Sequence, residues 1–380
     1  MKILAIETSC DETAVAVVED GTKIISNVIA SSKDMHEKYG GVVPEVAARE
    51  QLKCIIPVIT EAVAVFDGGV SESMSQRINQ HIDAIAVTVG PGLIGSLLVG
   101  VETAKTLAYT TGKSIIPVNH VLAHMYTNFI PSEVEGENSS RAKSRDNLIE
   151  FPAISLVVSG GHTELYLMKS VKNLMWLGGT LDDAAGECFD KTARLLGFGH
   201  GGGPAIQNAA EKFKVSRLKL KVSLPRPMIN DESFNFSFSG LKTAVMREWK
   251  KQLSDPSLIP HPSSLTSTFA HEIQESITDV LVKKTLRAAK YYGAKSILLS
   301  GGVAANTRLR EKFLSALSTL HSPLFFTPPA HLCTDNAVMI GAAAYFLGSF
   351  TLSFEGLYPE LRRAADWHEV TAIPNLSVET

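Results

Sequence analysis

Residues 2–19 read KILAIETSCDETAVAVVE, in which two apolar runs flank a polar segment. The runs at 2–7 and 14–19 are short and rich in aliphatic residues, which predicts buried strands. The intervening TSCDET supplies hydroxyl and carboxylate groups, and such residues favour turns. We therefore expect a β-hairpin here, with polar side chains at its tip.

The second half of the chain contains the same plan, because residues 152–168 read PAISLVVSGGHTELYLM. A strand pattern again leads into a polar tip, SGGHT, and a second strand follows. Strand and helix patterns alternate through both halves, which is typical of an α/β protein with mostly parallel sheets. The repeated plan indicates an internal duplication, and we expect two α/β lobes with a cleft between them.

The domain boundaries follow from a change in composition. Residues 132–147, SEVEGENSSRAKSRDN, contain almost no apolar side chains, which predicts a surface loop. We expect an N-terminal lobe at 1–131, a linker at 132–150 and a C-terminal lobe at 151–334. A helix at about 335–350 is expected to return to the N-terminal lobe, and residues 351–380 to form a tail.

Composition describes an ordinary globular protein. The 380 residues are 45% hydrophobic and 20% charged, and the net charge of -3 neither requires nor excludes a nucleic-acid partner. The four cysteines form no CxxC pair, which argues against a disulfide framework or a thiolate zinc site. With no secretory leader or membrane-spanning pattern in the sequence, we expect a cytoplasmic protein without membrane contact.

A histidine pair is the first candidate for chemistry. PVNHVLAHMYTN, residues 117–128, places His120 and His124 four positions apart, on one face of a predicted helix. Such a pair can hold one metal ion, although the spacing also arises by chance. Asp335, at the start of another predicted helix, is either a helix N-cap or the carboxylate that completes the site. Two histidines and one carboxylate leave coordination positions open, as a catalytic metal requires.

Glycine-rich turns are the second candidate. GPGLIGS, SGGHT, GGGP and SGGVAANT each follow a strand pattern or begin a helix. Any one of them has a purely structural explanation in a tight turn, but together they favour phosphate binding by backbone amides. None matches the Walker A pattern or GxGxxG. Asp190 is either a helix-dipole partner or a ligand for a ribose.

A basic run is the third candidate. Residues 212–226, KFKVSRLKLKVSLPR, contain six basic residues and no acidic one. Such runs are usually solvated surfaces, and a nucleic-acid footprint is the alternative.

Several motifs together carry a family resemblance. In chain order they are ETSCDETAVAVV, HVLAH, LVVSGGHTELY, DDAAGECFDKTARLLG, FSFSGLKTAV, SGGVAANTRLR and CTDNAVMIGAAAY. Over roughly residues 1–350 the chain resembles the TsaD family of tRNA threonylcarbamoyladenosine synthesis proteins. The resemblance implies the two-lobed α/β fold of actin, Hsp70 and sugar kinases.

The resemblance also implies an activity. A TsaD protein is an acyltransferase that moves the threonylcarbamoyl group from threonylcarbamoyl-AMP to N6 of adenosine 37, in tRNAs that read ANN codons. AMP is released, and one divalent metal ion, Fe²⁺ or Zn²⁺, assists. The implied partners are tRNA, threonylcarbamoyl-AMP and TsaB-like and TsaE-like subunits. The predicted helices near 44–66 and 93–109 are our candidates for the TsaB contact.

Carried over residue by residue, the resemblance makes His120, His124 and Asp335 the metal ligands. Asp11 and Glu12 face the reaction centre, and the acceptor of the N6 proton is one of them or water. The adenylate would be bound by Val158, Ser159, Gly160, Gly161, His162, Asp190, Gly203 and Asn306. The candidates for tRNA contact are Lys212, Lys214, Arg217, Lys219 and Lys221.

Three other functions are compatible with parts of the sequence. An ATP-dependent kinase shares the fold, but it binds Mg²⁺ through phosphates and has no need of a histidine pair. A zinc protease of the HExxH type requires a glutamate inside the motif, where this chain has Val121, Leu122 and Ala123. A non-catalytic scaffold related to TsaB is expected to lack the histidines.

Overall fold

The structure is a computed structural model. It describes residues 1–36, 39, 41–67, 72–131, 149–199, 201–215, 222–254, 262–318, 322–348 and 367–376, without the side chains at 214, 215, 262, 263 and 367. The chain divides into two units, which we describe separately. Unit 1 comprises Met1–Ile149 and His331–Thr380, and unit 2 comprises Glu150–Ala330. The polar insert at 132–147 lies outside the described residues.

Unit 1 is built on a five-stranded sheet with the order β3-β2-β1-β4-β5. The strands are β1 (Lys2–Glu7), β2 (Glu12–Glu19), β3 (Lys23–Ser31), β4 (Ala84–Gly90) and β5 (Ser114–Asn119). The expected hairpin is β1 and β2, which pair antiparallel with Leu4 opposite Val17. Strand β4 is buried along its whole length, as its continuous apolar sequence predicts for a central strand.

Unit 2 contains a sheet of the same topology, with the order β10-β9-β6-β7-β8. Its strands are β6 (Ala153–Val158), β7 (Thr163–Met168), β8 (Leu174–Gly179), β9 (Ser296–Ser300) and β10 (Leu324–Phe326). The second hairpin is β6 and β7, with Ser155 opposite Tyr166. The shared strand order supports the duplication that the sequence indicates.

The sheets are mixed, so the expectation of mostly parallel sheets is wrong. In each sheet the hairpin and the strand after it form two antiparallel pairs. The two remaining pairs are parallel and are joined through helices. The sequence pattern underestimated the antiparallel part because a third strand, β3 or β8, follows each hairpin after a short turn.

The helices of unit 1 are α1 (Lys33–His36), α2 (Pro44–Val63), α3 (Met74–His81), α4 (Ile94–Thr111), α5 (His120–Tyr126) and α11 (Ala337–Gly348). Pro44 begins α2, where its missing N–H costs nothing. A reciprocal capping box between Ser73 and Gln76 begins α3. Helix α4 ends at Gly112 in the left-handed conformation.

The helices of unit 2 are α6 (Ala185–Leu195), α7 (Gly202–Val215), α8 (Ser239–Leu253), α9 (Pro262–Tyr292) and α10 (Thr307–Ala316). The long α9 packs against α7, and α6 also packs against α7. Among the described residues, no helix combines the length and apolarity needed to cross a bilayer.

Helix α11 packs on β1, β2 and α5 within unit 1. The closest approach is at Gly341, where an added Cβ would lie 2.6 Å from Cγ2 of Val18 and 3.4 Å from Cβ of Ala5. The alanine-rich sequence of α11 therefore allows its backbone to lie directly on the sheet. Asp335 precedes α11 by two positions, so this packing also places the Asp335 carboxylate.

The packing predicts the effect of enlarging Gly341. Gly341→Ala should lower the stability of the protein by about 1–3 kcal/mol, because the new methyl group overlaps Val18. We expect the thermal unfolding midpoint in scanning calorimetry to fall by at least about 2 °C.

Gly240→Ala is the matched control. Gly240 lies in α8, and its added Cβ would meet nothing within 4 Å. Its midpoint should stay the same or rise slightly, since alanine is the better helix former. Equal midpoints for Gly341→Ala and the wild-type protein would contradict the close packing.

Candidate functional site

The two histidines occupy α5, directly after β5. The Asn119 side chain caps this helix by accepting from the amide of Leu122 at 3.0 Å. The cap starts the helix at His120, so the spacing of four residues places His124 one turn further along the same face. His120 is 5% exposed and His124 is completely buried.

Asp335 reaches the histidine pair from the turn before α11. Its Oδ1 lies 3.3 Å from Nε2 of His124 and 3.6 Å from Nε2 of His120. The three candidate ligand atoms all lie within 4.8 Å of one another. The alternative role of Asp335 as the cap of α11 is taken by Asn336, whose Oδ1 accepts from the amide of Met339 at 3.2 Å.

The donor set fits a transition metal ion. Both ring nitrogens of His124 are buried and have no hydrogen-bond partner among the described residues. The Asp335 carboxylate lies 3.3 Å from Nε2 without a hydrogen bond to it, and a metal ion shared by the two groups would satisfy both. Imidazole and carboxylate ligands suit Zn²⁺ and Fe²⁺ alike.

Glu7, at the end of β1, lies behind His120. Its Oε2 is 3.2 Å from Nδ1 of His120 and also accepts from the Thr88 hydroxyl, while its Oε1 accepts from the amide of Ser9 at 2.6 Å. Burial raises the pKa of the Glu7 carboxyl, but His120 outweighs it and holds that pKa below its usual value. Burial lowers the pKa of His120, but Asp335 and Glu7 outweigh it and raise that pKa to about 9. A metal ion therefore competes with a proton at His120.

The tip of the first hairpin, residues 8–12, is held by side chains from neighbouring elements. The buried amide of Gln51, on α2, donates to the carbonyls of Thr8, Cys10 and Glu12 at 3.4, 3.1 and 2.9 Å. Ser96, on α4, donates to the carbonyl of Cys10 at 3.0 Å. These bonds fix the backbone that carries Asp11 and Glu12.

Glu12 carries its proton at neutral pH in the metal-free protein. Burial first, and then the negative charges of Asp335 and Asp11, raise the pKa of its carboxyl to about 9. Asp335 is the second-largest cause, so a metal ion bound to that carboxylate would lower the pKa of Glu12 again.

In unit 2, several glycine turns converge on the tip of the second hairpin. The amide of Ser159 donates to the carbonyl of His162 at 2.8 Å, which closes the tip. A Cβ on Gly186 would lie 2.4 Å from the carbonyl oxygen of Ser159, and one on Gly301 would lie 2.4 Å from that of Val158. The start of α6 and the turn after β9 therefore touch this tip.

The open positions around that tip suit a ligand. An added Cβ at Gly160, Gly161, Gly203 or Gly302 would meet nothing within 4 Å. These backbones are accessible, while their packed neighbours need glycine for close approach. The arrangement is a cradle of the kind that binds phosphate through backbone groups.

Asp190 and Asn306 border the same region of unit 2. An added Cβ on Gly202 would lie 2.4 Å from Oδ1 of Asp190, so this carboxylate lies against the start of α7. Asn306 caps α10 by accepting from the amide of Leu309, and it donates to Gln274 at 3.0 Å. Asp190 is exposed and Asn306 is buried.

The turn GPGLIGS, in unit 1, has a structural role. The carbonyl of Ile373 lies where a Cβ of Gly90 would be, and the amide of Gly92 donates to the carbonyl of Pro374 at 3.1 Å. Residues 367–376 of the predicted tail therefore cover this turn. The expectation that all four glycine turns bind phosphate is wrong for this one, because the tail contacts its backbone. Local sequence patterns do not show that a segment as distant along the chain as residues 373–374 would pack here.

The basic run lies mostly outside the described residues. Lys212 is exposed on α7, but the side chain of Lys214 and the residues Arg217, Lys219 and Lys221 are not described. Arg226, the last basic residue of the run, forms ion pairs with Glu272 and Asp279. Its charge is therefore neutralised within unit 2.

Sequence reasoning missed Glu7, Thr88 and Gln51. Glu7 carried a signal, because a carboxylate that ends a buried apolar strand needs a partner. Thr88 and Gln51 resemble ordinary strand and helix residues, and only their contacts distinguish them.

The two sheets with their hairpins define a fold class. Over 90% of this chain, the structure is similar to HypF of T. kodakarensis, with a TM-score of 0.53, 14% identity and 47% of that chain covered. A full-length HypF in a phosphate- and nucleotide-bound form gives a TM-score of 0.54 at 12% identity, covering 90% of this chain and 46% of that one. At these identities the likeness concerns the fold alone. The expected fold class, that of actin, Hsp70 and sugar kinases, is confirmed.

Sequence relationships then identify the family. The model of the family "TsaD: tRNA N6-adenosine threonylcarbamoyltransferase" matches residues 23–342. This chain belongs to the TsaD family, and the expectation of an acyltransferase is confirmed.

Relatives named tRNA N6-adenosine threonylcarbamoyltransferase cover nearly the whole chain. The one from Thermomicrobium roseum is 47% identical over 361 residues, which are 91% of this chain and 92% of the relative. The one from Persephonella marina is 46% identical and covers 94% of both chains. The one from Thermosipho africanus is 41% identical over 378 residues, 100% of both.

Proposed function

We propose that this protein transfers the threonylcarbamoyl group of threonylcarbamoyl-AMP to N6 of adenosine 37 in tRNAs that read ANN codons, with the help of one divalent metal ion. The observation that carries the metal-assisted part is the cluster of His120, His124 and Asp335, whose candidate ligand atoms all lie within 4.8 Å of one another. The family and its relatives support the transfer itself.

The donor is a mixed carbamic–phosphoric anhydride with an activated carbonyl group. N6 of adenosine forms a bond to the carbonyl carbon, the bond from that carbon to the phosphate oxygen breaks, and AMP leaves. Fe²⁺ or Zn²⁺ bound by the two histidines and Asp335 would supply Lewis-acid stabilisation of charge on the donor oxygen.

The cradle in unit 2 is proposed to bind the AMP part of the donor. Gly160, Gly161 and Gly203 leave their backbone groups accessible to phosphate, and the exposed Asp190 is proposed to contact a ribose hydroxyl. Asn306 is proposed to contribute mainly by holding the turn at the start of α10, because its side chain is bonded to Gln274 and to the amide of Leu309.

The proton released from N6 needs an acceptor. The raised pKa of the Glu12 carboxyl, about 9 in the metal-free protein, weighs against Glu12 as this acceptor. We therefore favour Asp11 or water. Gln51 and Ser96 donate hydrogen bonds to the carbonyls of Cys10 and Glu12, and these bonds hold the backbone on both sides of Asp11 in place.

The adenosine of the anticodon loop lies in a single strand, where exposing a base to an active site is cheap. The residues proposed to contact the tRNA backbone are Lys212, Lys214, Arg217, Lys219 and Lys221. Each such charge adds salt-dependent affinity.

Removing one metal ligand tests the proposed function. In a reconstituted reaction with a threonylcarbamoyl-AMP synthetase, TsaB-like and TsaE-like subunits, ATP, threonine, bicarbonate and unmodified tRNA, His120→Ala should lose activity by about 100-fold or more. Mass spectrometry of the nucleosides measures the product, and metal analysis of the same sample should show the ion lost.

His81→Ala is the control. His81 is the last residue of α3, where it stacks on Phe66, and it lies outside the metal cluster. Full tRNA modification and full metal content in His120→Ala would refute the metal-assisted mechanism.

We propose that α2 and α4 form the contact with the TsaB-like subunit. Each helix exposes large apolar residues at a spacing of four, Leu52 and Ile56 on α2 and Ile94 and Leu98 on α4, each between 43% and 64% exposed. The two helices pack against each other. Exposed apolar residues grouped in this way are typical of a protein interface.

Charged substitutions test this contact. Leu52→Asp combined with Ile56→Asp should abolish co-elution with the TsaB-like subunit in size-exclusion chromatography, because two carboxylates would be desolvated at the interface. Leu314→Asp, at an exposed residue of unit 2, should co-elute as the wild-type protein does. Unchanged co-elution of the double variant would exclude this surface.

A further inference from the structure

The carboxylate of Glu7 is buried and completely bonded behind His120. Glu7 is 1% exposed. Its Oε1 accepts from the amide of Ser9 at 2.6 Å, and its Oε2 accepts from the hydroxyl of Thr88 and lies 3.2 Å from Nδ1 of His120. The site of this network is rigid, because β1 and β4 are neighbouring strands with Ile6 paired to Val87.

The bonds of Glu7 decide which nitrogen of His120 carries a proton. A carboxylate only accepts hydrogen bonds, so Nδ1 is the donor in its contact with Glu7, and the Ser9 hydroxyl, 3.2 Å from the same nitrogen, is then a second acceptor. In the neutral ring, a proton on Nδ1 leaves the lone pair on Nε2. That nitrogen faces Asp335, at 3.6 Å from its Oδ1.

His124 differs from His120 in this respect. Its Nδ1 has no hydrogen-bond partner among the described residues, while its Nε2 lies 3.3 Å from Oδ1 of Asp335, so no described carboxylate holds a proton on Nδ1 of this ring. A ligating histidine usually donates its other N–H to a carboxylate or carbonyl, which orients the ring and makes it a better ligand. Within the described pair only His120 has such a carboxylate.

We propose that Glu7 is a positioning residue, which holds His120 as the Nδ1–H tautomer and so prepares Nε2 to bind the metal ion. The inference rests on the proposed metal role of His120, His124 and Asp335. It extends that role to a residue that would not contact the ion, the donor or the tRNA.

Glu7→Gln is a sharp test, because an amide has one oxygen and one NH₂ group. The amide of Ser9 can only donate, so it requires the glutamine oxygen. The NH₂ group then faces His120 and can donate to Nδ1, which favours the proton on Nε2, and the Ser9 hydroxyl, 3.2 Å from Nδ1, can donate to the same nitrogen. The ring would present an N–H to the metal ion in place of a lone pair.

The experiment measures two properties of the full-length protein. The first is the affinity for Zn²⁺, measured by competition with a chelator, which should fall by about 10–100-fold in Glu7→Gln. The second is the tautomer of His120 in ¹⁵N-histidine-labelled, metal-free protein at alkaline pH, where the ring is neutral. Two-bond ¹H–¹⁵N correlations should show Nδ1–H in the wild-type protein and Nε2–H in Glu7→Gln.

Glu275→Gln is the matched control. Glu275 is a half-buried carboxylate of unit 2 that forms ion pairs with Arg308 and Lys312. Its loss should affect stability while leaving zinc affinity within about twofold of the wild-type value. A loss of affinity as large in Glu275→Gln as in Glu7→Gln would overturn the proposal, since it would reflect general destabilisation.

Three further outcomes test the positioning role of Glu7 and the metal role on which it rests. An unchanged tautomer and an unchanged zinc affinity in Glu7→Gln would overturn the positioning role while leaving the metal site intact. An Nε2–H tautomer in the wild-type protein would overturn it even if Glu7→Gln failed to fold. If the wild-type protein bound no metal, the proposed metal role would fail, and the tautomer measurement would still decide the Glu7 contact.

Discussion

The approach of Asp335 to the two histidines is the constraint on which the rest of unit 1 depends. One carboxylate and two imidazoles, from α5 and from the turn before α11, are brought to distances of 3.3 and 3.6 Å. That approach requires α11 to lie directly on the sheet, and Gly341 allows it by leaving room for Val18. It also requires α5 to begin at His120, which the cap from Asn119 ensures. A polar cluster so deep in the protein is costly unless it is bonded or binds an ion.

Unit 2 has the same strand order as unit 1 but carries different residues at its hairpin tip. Its hairpin tip carries accessible glycines instead of carboxylates, and the starts of α6 and of the turn after β9 pack against it through Gly186 and Gly301. The packed glycines bring backbones together, and the open ones leave backbone groups accessible to a ligand. The same sheet topology therefore positions the candidate metal ligands in one unit and the proposed phosphate cradle in the other.

The sequence predicted the parts of the fold that are encoded locally. Both hairpins and the histidine helix follow from local apolar patterns and residue spacing. The mixed sheets were not predicted, because β3 and β8 join through short turns that carry no pairing signal. Contacts between distant segments, such as the cover of Ile373 over Gly90, were equally beyond local patterns.

The candidate site was predictable in its ligands and not in their supports. His120 and His124 have a visible spacing, whereas Asp335 at a helix start had two interpretations, and the family resemblance decided between them. Glu7 and Gln51 act through hydrogen bonds to residues far away in sequence, so their roles emerge only from three-dimensional contacts.

The most direct test of the central claim is anomalous diffraction from crystals of the protein grown with Zn²⁺ or Fe²⁺, recorded at the absorption edge of the metal. We predict one strong anomalous peak at about 2.0–2.2 Å from a ring nitrogen of His120, a ring nitrogen of His124 and an oxygen of Asp335. A well-ordered structure with no peak at these three side chains, or with its main peak elsewhere, would contradict the account.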